Sequence, residues 1–249
     1  MYKFHTKPYQ HQKKAFDASW SANHFALFME MGTGKSKVAI DTIAALFEAG
    51  KVDTALILAP KGVFDNWVKG EIPIHLPPRI QRSVLRWQPS LTKKFVNDLK
   101  DFALPNLRKA KTLHLFVMNI EALSTDKGFD TAKDFISMNP NIITVVDEST
   151  TIKNRQARRT KNVIHLGRMS KYTRILTGSP ITKSPMDLYS QCDFLTKNCL
   201  GLSSFYAYQN RYAIVVQRTM GRHSFREITG YRRLDELNEK LDTFSYRVL

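Results

Sequence analysis

Short apolar runs recur from Phe25 to Thr177, and each is separated from the next by enough chain for a helix. Continuous apolar runs of this length are typical of strands that are buried on both faces of a parallel sheet. The predicted strands are residues 25–29, 55–59, 83–87, 113–117, 142–147 and 173–177.

The segments between these runs have helical periodicity. The clearest is 35–48, where Val38, Ile43 and neighbouring apolar residues form one stripe, and a second is 156–167, where Val163 opposes several arginines. Strand and helix alternate, which favours an α/β fold with a doubly wound parallel sheet flanked by helices. Ligands of such sheets bind at the carboxyl ends of the strands, so we expect the chemistry there.

The pattern changes near residue 198. We therefore predict one large domain at 1–198 and a small α+β appendage at 199–249. The appendage is predicted from two β-like runs that flank a Met220-Gly221 turn and from one amphipathic helix: 212–218, 222–228, and the segment with Leu234, Leu237 and Leu241 on one stripe.

A loop rich in small residues follows the first predicted strand and precedes the first predicted helix. Small residues let backbone N–H groups approach phosphates, and a helix N-terminus adds positive potential. Lys35 is expected to reach the β and γ phosphates, and the Ser36 hydroxyl to bind Mg²⁺. The common phosphate-loop pattern has glycine where Met29 stands. The predicted nucleotide-binding residues of this loop are Met31, Gly32, Thr33, Gly34, Lys35 and Ser36.

Paired acids end the predicted strand 142–147. Phosphoryl transfer needs a carboxylate in the Mg²⁺ shell and a group that orients or deprotonates the attacking water. We assign Asp147 to the first role and Glu148 to the second, with Lys35 and Glu148 as the catalytic pair. Alone, two acids at this position could equally cap the next helix. Their combination with the phosphate loop favours the catalytic interpretation.

A third signal, Leu176-Thr177-Gly178-Ser179-Pro180, closes the last predicted strand. In isolation it would be a polar turn. Its position after the acids gives the order Gly32-Thr33-Gly34-Lys35-Ser36, then Asp147-Glu148-Ser149-Thr150 with Ile152-Lys153-Asn154, then this segment. That order resembles motifs I, II and III of superfamily-two helicases, and among them the Swi/Snf-type ATPases, particularly compact members from bacteria and phages.

The resemblance implies a RecA-like P-loop NTPase domain that uses ATP and Mg²⁺ and moves on DNA, as a helicase or translocase. It assigns Thr177, Gly178 and Ser179 to coupling of the nucleotide site to the motor. It also implies that a glutamine near the N-terminus contacts adenine, and we select Gln12, with Gln10 as the alternative.

Two further segments resemble motifs Ia and Ib, which contact the DNA backbone in this family. They are Leu56 to Lys61, followed by Asn66-Trp67, and Val117 to Glu121. Lys61 and Asn119 are therefore candidate phosphate ligands. A lysine at the edge of the core is an equally good interpretation of Lys61.

The chain departs from the family in two respects. The acidic box commonly ends in His, which helps couple it to motif III, whereas Ser149 and Thr150 stand here. The resemblance also implies a second RecA-like domain that supplies arginine fingers, which are worth about 10³ to 10⁵ in rate. We expect this chain alone to hydrolyse ATP slowly.

The formal net charge is +16, from 38 Lys and Arg against 22 Asp and Glu. Such a surface attracts polyanions and favours nucleic acid as a partner. Together with the resemblance to DNA motors, it leads us to expect DNA in double-stranded form. From residue 151 to 174 basic residues occur without any acid, and we propose DNA contacts at Lys153, Arg155, Arg158 and Arg159. The full set is Lys153, Arg155, Arg158, Arg159, Lys161, Arg168, Lys171 and Arg174.

Three alternatives stay open at this stage: a generally basic surface, a non-catalytic DNA- or protein-binding module that keeps the helicase fold, and an unrelated P-loop enzyme such as a small-molecule kinase. The 176–180 segment and the basic surface count against the last of these. No apolar run reaches the length of a bilayer span, and the first residues lack the apolar region expected of a secretory signal. The two cysteines do not form a CxxC pair. We expect a cytoplasmic protein of a bacterial or phage-infected cell, with no membrane partner.

Overall fold

The computed structural model describes residues 2–90, 92–103, 111–220 and 223–248. Seven strands form one sheet: β1 (His24–Met29), β2 (Thr54–Ala59), β3 (Arg82–Arg86), β4 (Leu113–Asn119), β5 (Ile142–Asp147), β6 (Tyr172–Thr177) and β9 (Ser245–Val248). Their order in the sheet is β3-β4-β2-β5-β6-β1-β9, and every pairing is parallel. A separate antiparallel pair consists of β7 (Ala213–Met220) and β8 (His223–Tyr231).

Helices cover both faces of the sheet. They are α1 (Gln10–Ser19), α2 (Lys35–Glu48), α3 (Phe64–Asn66), α4 (Ile72–His75), α5 (Lys93–Ala103), α6 (Asp126–Ser137), α7 (Arg158–Met169), α8 (Leu188–Leu195), α9 (Phe205–Tyr212) and α10 (Leu234–Asp242). Within the described ranges, none of the helices is long and apolar enough to cross a membrane.

Alternate residues of each central strand enter different cores. Phe25 and Leu27 of β1 pack with α1, α2 and the helical segment after β2, whereas Ala26 and Phe28 pack with α5 to α8 on the other face. Because side chains of a strand point alternately to its two faces, a strand with helices on both sides is mostly apolar on both faces. This is why most strands of the sheet appear in the sequence as nearly continuous apolar runs, although β3 begins and ends with arginine and β6 contains Arg174.

The sequence predicted these elements well. All six predicted strands are present with ends shifted by at most two residues, and α2 has the predicted bounds. The second predicted helix, α7, begins at Arg158 and not at 156. Its start is delayed because the Asn154 side chain accepts a hydrogen bond from the Gln156 amide (3.0 Å), which forms a turn before the helix.

The last strand corrects the predicted domain division. β9 lies beside β1 in the main sheet, with Leu27 opposite Tyr246, although 199–249 was assigned to an appendage. Leu237 and Leu241 of α10 are also buried in the main core. The strand was missed because an edge strand needs only partial burial, and its Ser-Tyr-Arg-Val sequence has no continuous apolar pattern.

The β7–β8 hairpin is a genuine projection with strands close to the predicted 212–218 and 222–228. The predicted turn residue Gly221 lies outside the described residues. Ile214 and Val216 are exposed, and so is Phe225.

The parallel arrangement brings the sequence motifs to one edge of the sheet. Ala59 at the end of β2 is opposite Asn119 at the end of β4, and Asp147 of β5 is opposite Leu176 of β6. β1 ends beside β6, where Phe28 is opposite Thr177. The phosphate-loop candidate, the paired acids and the Thr177 segment therefore lie around one site.

Candidate nucleotide site

The 31–36 loop turns sharply into α2. Gly32 and Gly34 have φ of 80° and 82°, in the left-handed region that favours glycine. Gly34 precedes α2 and provides no side-chain cap, so the first N–H groups of this helix face the loop. Thr33 donates its hydroxyl to the Glu30 carbonyl (2.6 Å), which closes the turn, while Ser36 is half-buried and Met31 is exposed. This is the geometry of an anion-binding loop.

Gln12 is buried against this loop. Its Nε2 donates to the Thr33 carbonyl (3.0 Å), and its Oε1 accepts from the Tyr9 amide (3.0 Å). Gln10 is exposed. The geometry favours Gln12 over Gln10 as a residue of the site. A ring nitrogen of His11 also lies 2.9 Å from the Thr33 carbonyl. No sequence pattern indicated that contact.

The two candidate catalytic side chains form an ion pair. Nζ of Lys35 lies 3.0 Å from Oε1 of Glu148, and the side chains are 11% and 32% exposed. Glu148 has φ of 47°, an uncommon conformation for a non-glycine residue. Left-handed backbone at such a position is a feature of functional sites. The left-handed backbone turns the chain at Glu148 away from the direction of β5, which ends at Asp147.

Asp147 lies deeper than Glu148. Its Oδ2 accepts from the Trp67 indole Nε1 (2.9 Å), and its Oδ1 accepts from the Glu148 amide (3.0 Å). Burial raises the pKa of Asp147, and the nearby Glu148 charge adds to that effect, whereas the Trp67 hydrogen bond and Lys35 lower it. Each carboxylate oxygen keeps a lone pair beyond its one hydrogen bond, so the group can still bind a cation.

Trp67 is a site residue that the sequence did not identify. Its burial suggests a core side chain, which it is, but its indole also orients Asp147. Trp67 begins a π-helical turn (Trp67–Glu71) between α3 and α4. Such turns are frequent at functional sites. The two residues are 80 positions apart, and no spacing pattern connects them.

The Thr177 segment contacts the phosphate loop directly. A side-chain carbon at Gly178 would lie 3.3 Å from Cα of Glu30 and 3.4 Å from the Met31 amide nitrogen. The Thr177 hydroxyl is buried and accepts from the Ser179 amide (3.2 Å). The segment with Thr177, Gly178 and Ser179 thus lies against the phosphate loop, and its coupling role stays a prediction.

The two candidate DNA-contacting loops share one acceptor. Glu121 accepts from the backbone amide of Lys61 (3.1 Å to Oε2) and from the Asn119 side chain (3.2 Å). Lys61 is exposed, while Asn119 is half-buried. Glu121 therefore fixes the backbone of the first loop and leaves the Lys61 ammonium group facing outward.

The candidate DNA-contacting residues of the basic segment contact other residues of the chain. Lys153 donates to the Thr182 hydroxyl (2.5 Å), Arg155 stacks on the Phe205 ring (4.2 Å to the centroid), Arg158 pairs with Asp126, and Arg159 donates to the Thr151 carbonyl (2.9 Å). The four candidate contacts all lie near the start of α7, and each already has a partner within the chain.

Arg174 corrects the prediction of a phosphate-facing segment. It is fully buried in β6, and its guanidinium donates to the carbonyls of Ser19, Ala22, Asn23 and Thr173. Burial lowers its pKa to about 9. This arginine holds the turn between α1 and β1 and cannot contact DNA. A basic residue in an apolar strand can serve as a structural donor, which the count of charges does not reveal.

A doubly wound parallel sheet, an uncapped helix after a glycine turn and a lysine paired with a strand-end acid define a RecA-like P-loop protein. The chain belongs to the SNF2-related domain family, whose sequence model matches residues 9–243. The predicted resemblance to Swi/Snf-type proteins is confirmed.

Curated relatives are much longer than this chain. It is 26% identical over 220 residues to the Bos taurus DNA annealing helicase and endonuclease ZRANB3. The matched region covers 88% of the chain and 18% of the relative. It is 24% identical over 211 residues to the Homo sapiens DNA excision repair protein ERCC-6-like, covering 79% and 15%. The chain thus spans less than a fifth of these relatives.

Solved structures share the fold. The Sulfolobus solfataricus SWI2/SNF2 ATPase core in complex with dsDNA matches 99% of this chain and 45% of its own, with a TM-score of 0.69 and 20% identity. The same core domain alone matches with a TM-score of 0.63 and 21% identity. The predicted RecA-like sheet is confirmed by this similarity.

Proposed function

We propose that this chain is the nucleotide-binding half of a DNA-dependent ATPase that uses ATP and Mg²⁺ to move along duplex DNA. The observation on which the proposal depends is the Lys35–Glu148 ion pair, which joins the phosphate loop to the acids at 3.0 Å. A lysine and a carboxylate that hold each other at this position are arranged to separate around a γ-phosphate and an attacking water.

The donor set fits a nucleoside triphosphate with magnesium. The uncapped start of α2 offers N–H groups to phosphate oxygens, and Ser36 lies on the first turn of the same helix. Asp147 offers the oxygen ligand that Mg²⁺ prefers. Gln12, held against Thr33, is the candidate contact to the adenine base.

Each residue has a distinct task in the proposed reaction. Lys35 leaves Glu148 to bind the β and γ phosphates, and Glu148 then orients the attacking water and accepts its proton. Trp67 keeps Asp147 in one orientation. Magnesium, when bound, neutralises developing charge on the phosphates. A second RecA-like domain would supply the arginine fingers on the opposite side of the nucleotide.

DNA is the proposed track because the net charge is +16 and Lys61 is exposed beside the strand ends. The Sulfolobus relative was solved in complex with dsDNA, which supports the choice of duplex. The proposal assigns the DNA backbone to Lys61 and Asn119, and to Lys153, Arg155, Arg158 and Arg159 at the start of α7.

The test is ATP hydrolysis by the full-length protein with and without duplex DNA. We expect DNA to stimulate hydrolysis, and both Lys35→Ala and Glu148→Gln to abolish the stimulated rate. Lys13→Ala, which removes an exposed lysine paired with Asp17, is the control and should retain it. Stimulated hydrolysis that survives Lys35→Ala would refute the proposal. DNA binding that ignores ATP and magnesium, with no nucleotide bound, would instead indicate a non-catalytic binding module.

A further inference from the structure

Gln191 on α8 is a fully buried amide whose hydrogen bonds are all made within the protein. Its Oε1 accepts from the Ser149 hydroxyl (2.7 Å), and its Nε2 donates to the carbonyls of Pro180 and Asp187 (both 2.8 Å). Because both N–H groups and the oxygen have partners, the orientation of the amide is fixed. A buried amide that moved would lose these bonds with no water to replace them.

These bonds join the two loops that flank the nucleotide site. Ser149 directly follows Glu148, and Pro180 ends the 177–180 segment that contacts the phosphate loop through Gly178. Gln191 therefore connects the acids to that segment through side-chain and backbone atoms, without passing through the nucleotide. Gln191 thus contacts the segment in which Ser149 and Thr150 stand where the family's acidic box commonly ends in His.

Asp187, which directly precedes α8, and Ser190 in the first turn of α8 make further hydrogen bonds between the two loops. The Asp187 carboxylate accepts from the amides of Thr182 (3.1 Å) and Lys183 (2.9 Å). Lys153 donates to Thr182, while the Ser190 hydroxyl donates to the Lys153 carbonyl (2.9 Å). The start of α8 is thus hydrogen-bonded both to the loop after β5, at Lys153, and to the loop after β6, at Thr182 and Lys183. A displacement of one loop is therefore passed to the other.

We propose that Gln191 is a positioning residue that transmits movement of the 177–180 segment to Glu148. The inference rests on the proposed ATPase function and adds a residue to it. Displacement of Pro180 moves Gln191, Gln191 moves Ser149, and Ser149 turns the adjoining Glu148, whose left-handed backbone is held from both sides. Glu148 then changes its distance to Lys35, which is the step that readies the acid for water.

The test compares three variants of the full-length protein. Gln191→Leu removes all three bonds at similar volume, and Ser149→Ala removes the bond between the two loops. Thr144→Val is the matched control, because Thr144 lies in the same strand as Asp147 and has a buried hydroxyl bond of equal length to Ser170 (2.7 Å) that does not reach the 177–180 segment.

The readout is the stimulation of kcat by duplex DNA, measured with the KM for ATP and the affinity for Mg²⁺–ADP. We expect Gln191→Leu and Ser149→Ala each to reduce the DNA stimulation about five-fold or more, the lower range of coupling between two protein sites. KM and ADP affinity should change less than about two-fold. The double variant should be no worse than the poorer single variant, because both break one connection.

Thr144→Val should lose similar thermal stability and keep its DNA stimulation. Equal loss of stimulation in Thr144→Val would overturn the proposal, since the effect would then be structural. Retained stimulation in Gln191→Leu, or parallel loss of ADP affinity, would overturn it as well. If the unmodified protein shows no DNA stimulation, the proposed function itself fails, and the inference fails with it for that separate reason.

Discussion

The indole nitrogen of Trp67 donates to Oδ2 of Asp147 across 2.9 Å, and both side chains are buried. The bond connects the helical segment after β2 to the carboxyl end of β5. It therefore fixes Oδ2 of the carboxylate that we assign to magnesium, while the Glu148 amide binds the other oxygen, Oδ1. A residue that orients a metal ligand affects the metal without touching it.

Trp67→Phe should weaken the response to magnesium. Phenylalanine keeps an aromatic ring in the core but cannot donate, so the pKa of Asp147 rises further and its carboxylate can rotate. We expect the Mg²⁺ concentration for half-maximal ATPase activity to rise about ten-fold, the lower range for loss of such a partner. Trp87→Phe, at an equally buried tryptophan that packs on Phe95, is the control. An unchanged magnesium requirement in Trp67→Phe would contradict the assigned role.

The fold was predictable where the burial of an element is visible in the apolar pattern of its own residues. Strands such as β5 are buried at every position and mostly apolar because both faces are covered, and α2 is apolar on one stripe. β9 was missed because it is a half-buried edge strand whose Ser-Tyr-Arg-Val sequence has no apolar pattern, and its partner β1 lies more than 200 positions away in the chain. Local periodicity holds no information about such a partner.

The site was predictable to the extent that its residues are consecutive. The 31–36 loop and the Asp147-Glu148 pair each lie within a few positions, and their order supplied the rest. Trp67, His11 and Gln191 join the site through contacts between distant segments. Arg174 shows the opposite error, since its charge suggested a surface and its four carbonyl partners could only be seen in the fold.

Gly34→Ala should prevent nucleotide binding. The position has φ of 82°, and an added methyl carbon would lie 2.3 Å from Nε2 of Gln12, so both the turn and the glutamine must shift. Gly50→Ala is a control that separates strain from contact, because Gly50 has φ of 66° with no atom within 4 Å of the added carbon. Gly50→Ala should cost about 1 kcal/mol of unfolding free energy and leave nucleotide affinity unchanged. Calorimetric titration with Mg²⁺–ADP checks both, and normal affinity in Gly34→Ala would refute the loop assignment.

Glu236 should stabilise the fold in a pH-dependent manner. Hydrogen bonds from Arg211 and then Tyr212 lower the pKa of Glu236 from 4.5 to about 2. Since the folded-state pKa is the lower one, the stabilisation is complete above pH 4.5 and disappears as the pH falls towards 2. The difference in unfolding free energy between the natural protein and Glu236→Gln should therefore shrink over that range. Urea unfolding at several pH values measures it, with the exposed Glu239→Gln of the same helix as control. A constant difference would show that the carboxylate charge is not involved.

Lys61→Gln should reduce the salt dependence of DNA binding. An ammonium group that contacts a phosphate releases about one counterion on binding, so its removal lowers the slope of log affinity against log salt by about one. Lys61 is suited to this because Glu121 holds its backbone while its side chain is exposed. Arg168→Gln removes the same charge from the last turn of α7, where Arg168 pairs with Asp193 (3.0 Å). That turn precedes the amino end of β6, whereas Lys61 follows the carboxyl end of β2. Because both variants change the net charge equally, a general attraction between a basic protein and DNA predicts equal slopes. A phosphate contact at Lys61 predicts a smaller slope in Lys61→Gln alone, and fluorescence anisotropy of a labelled duplex across a salt series distinguishes the two.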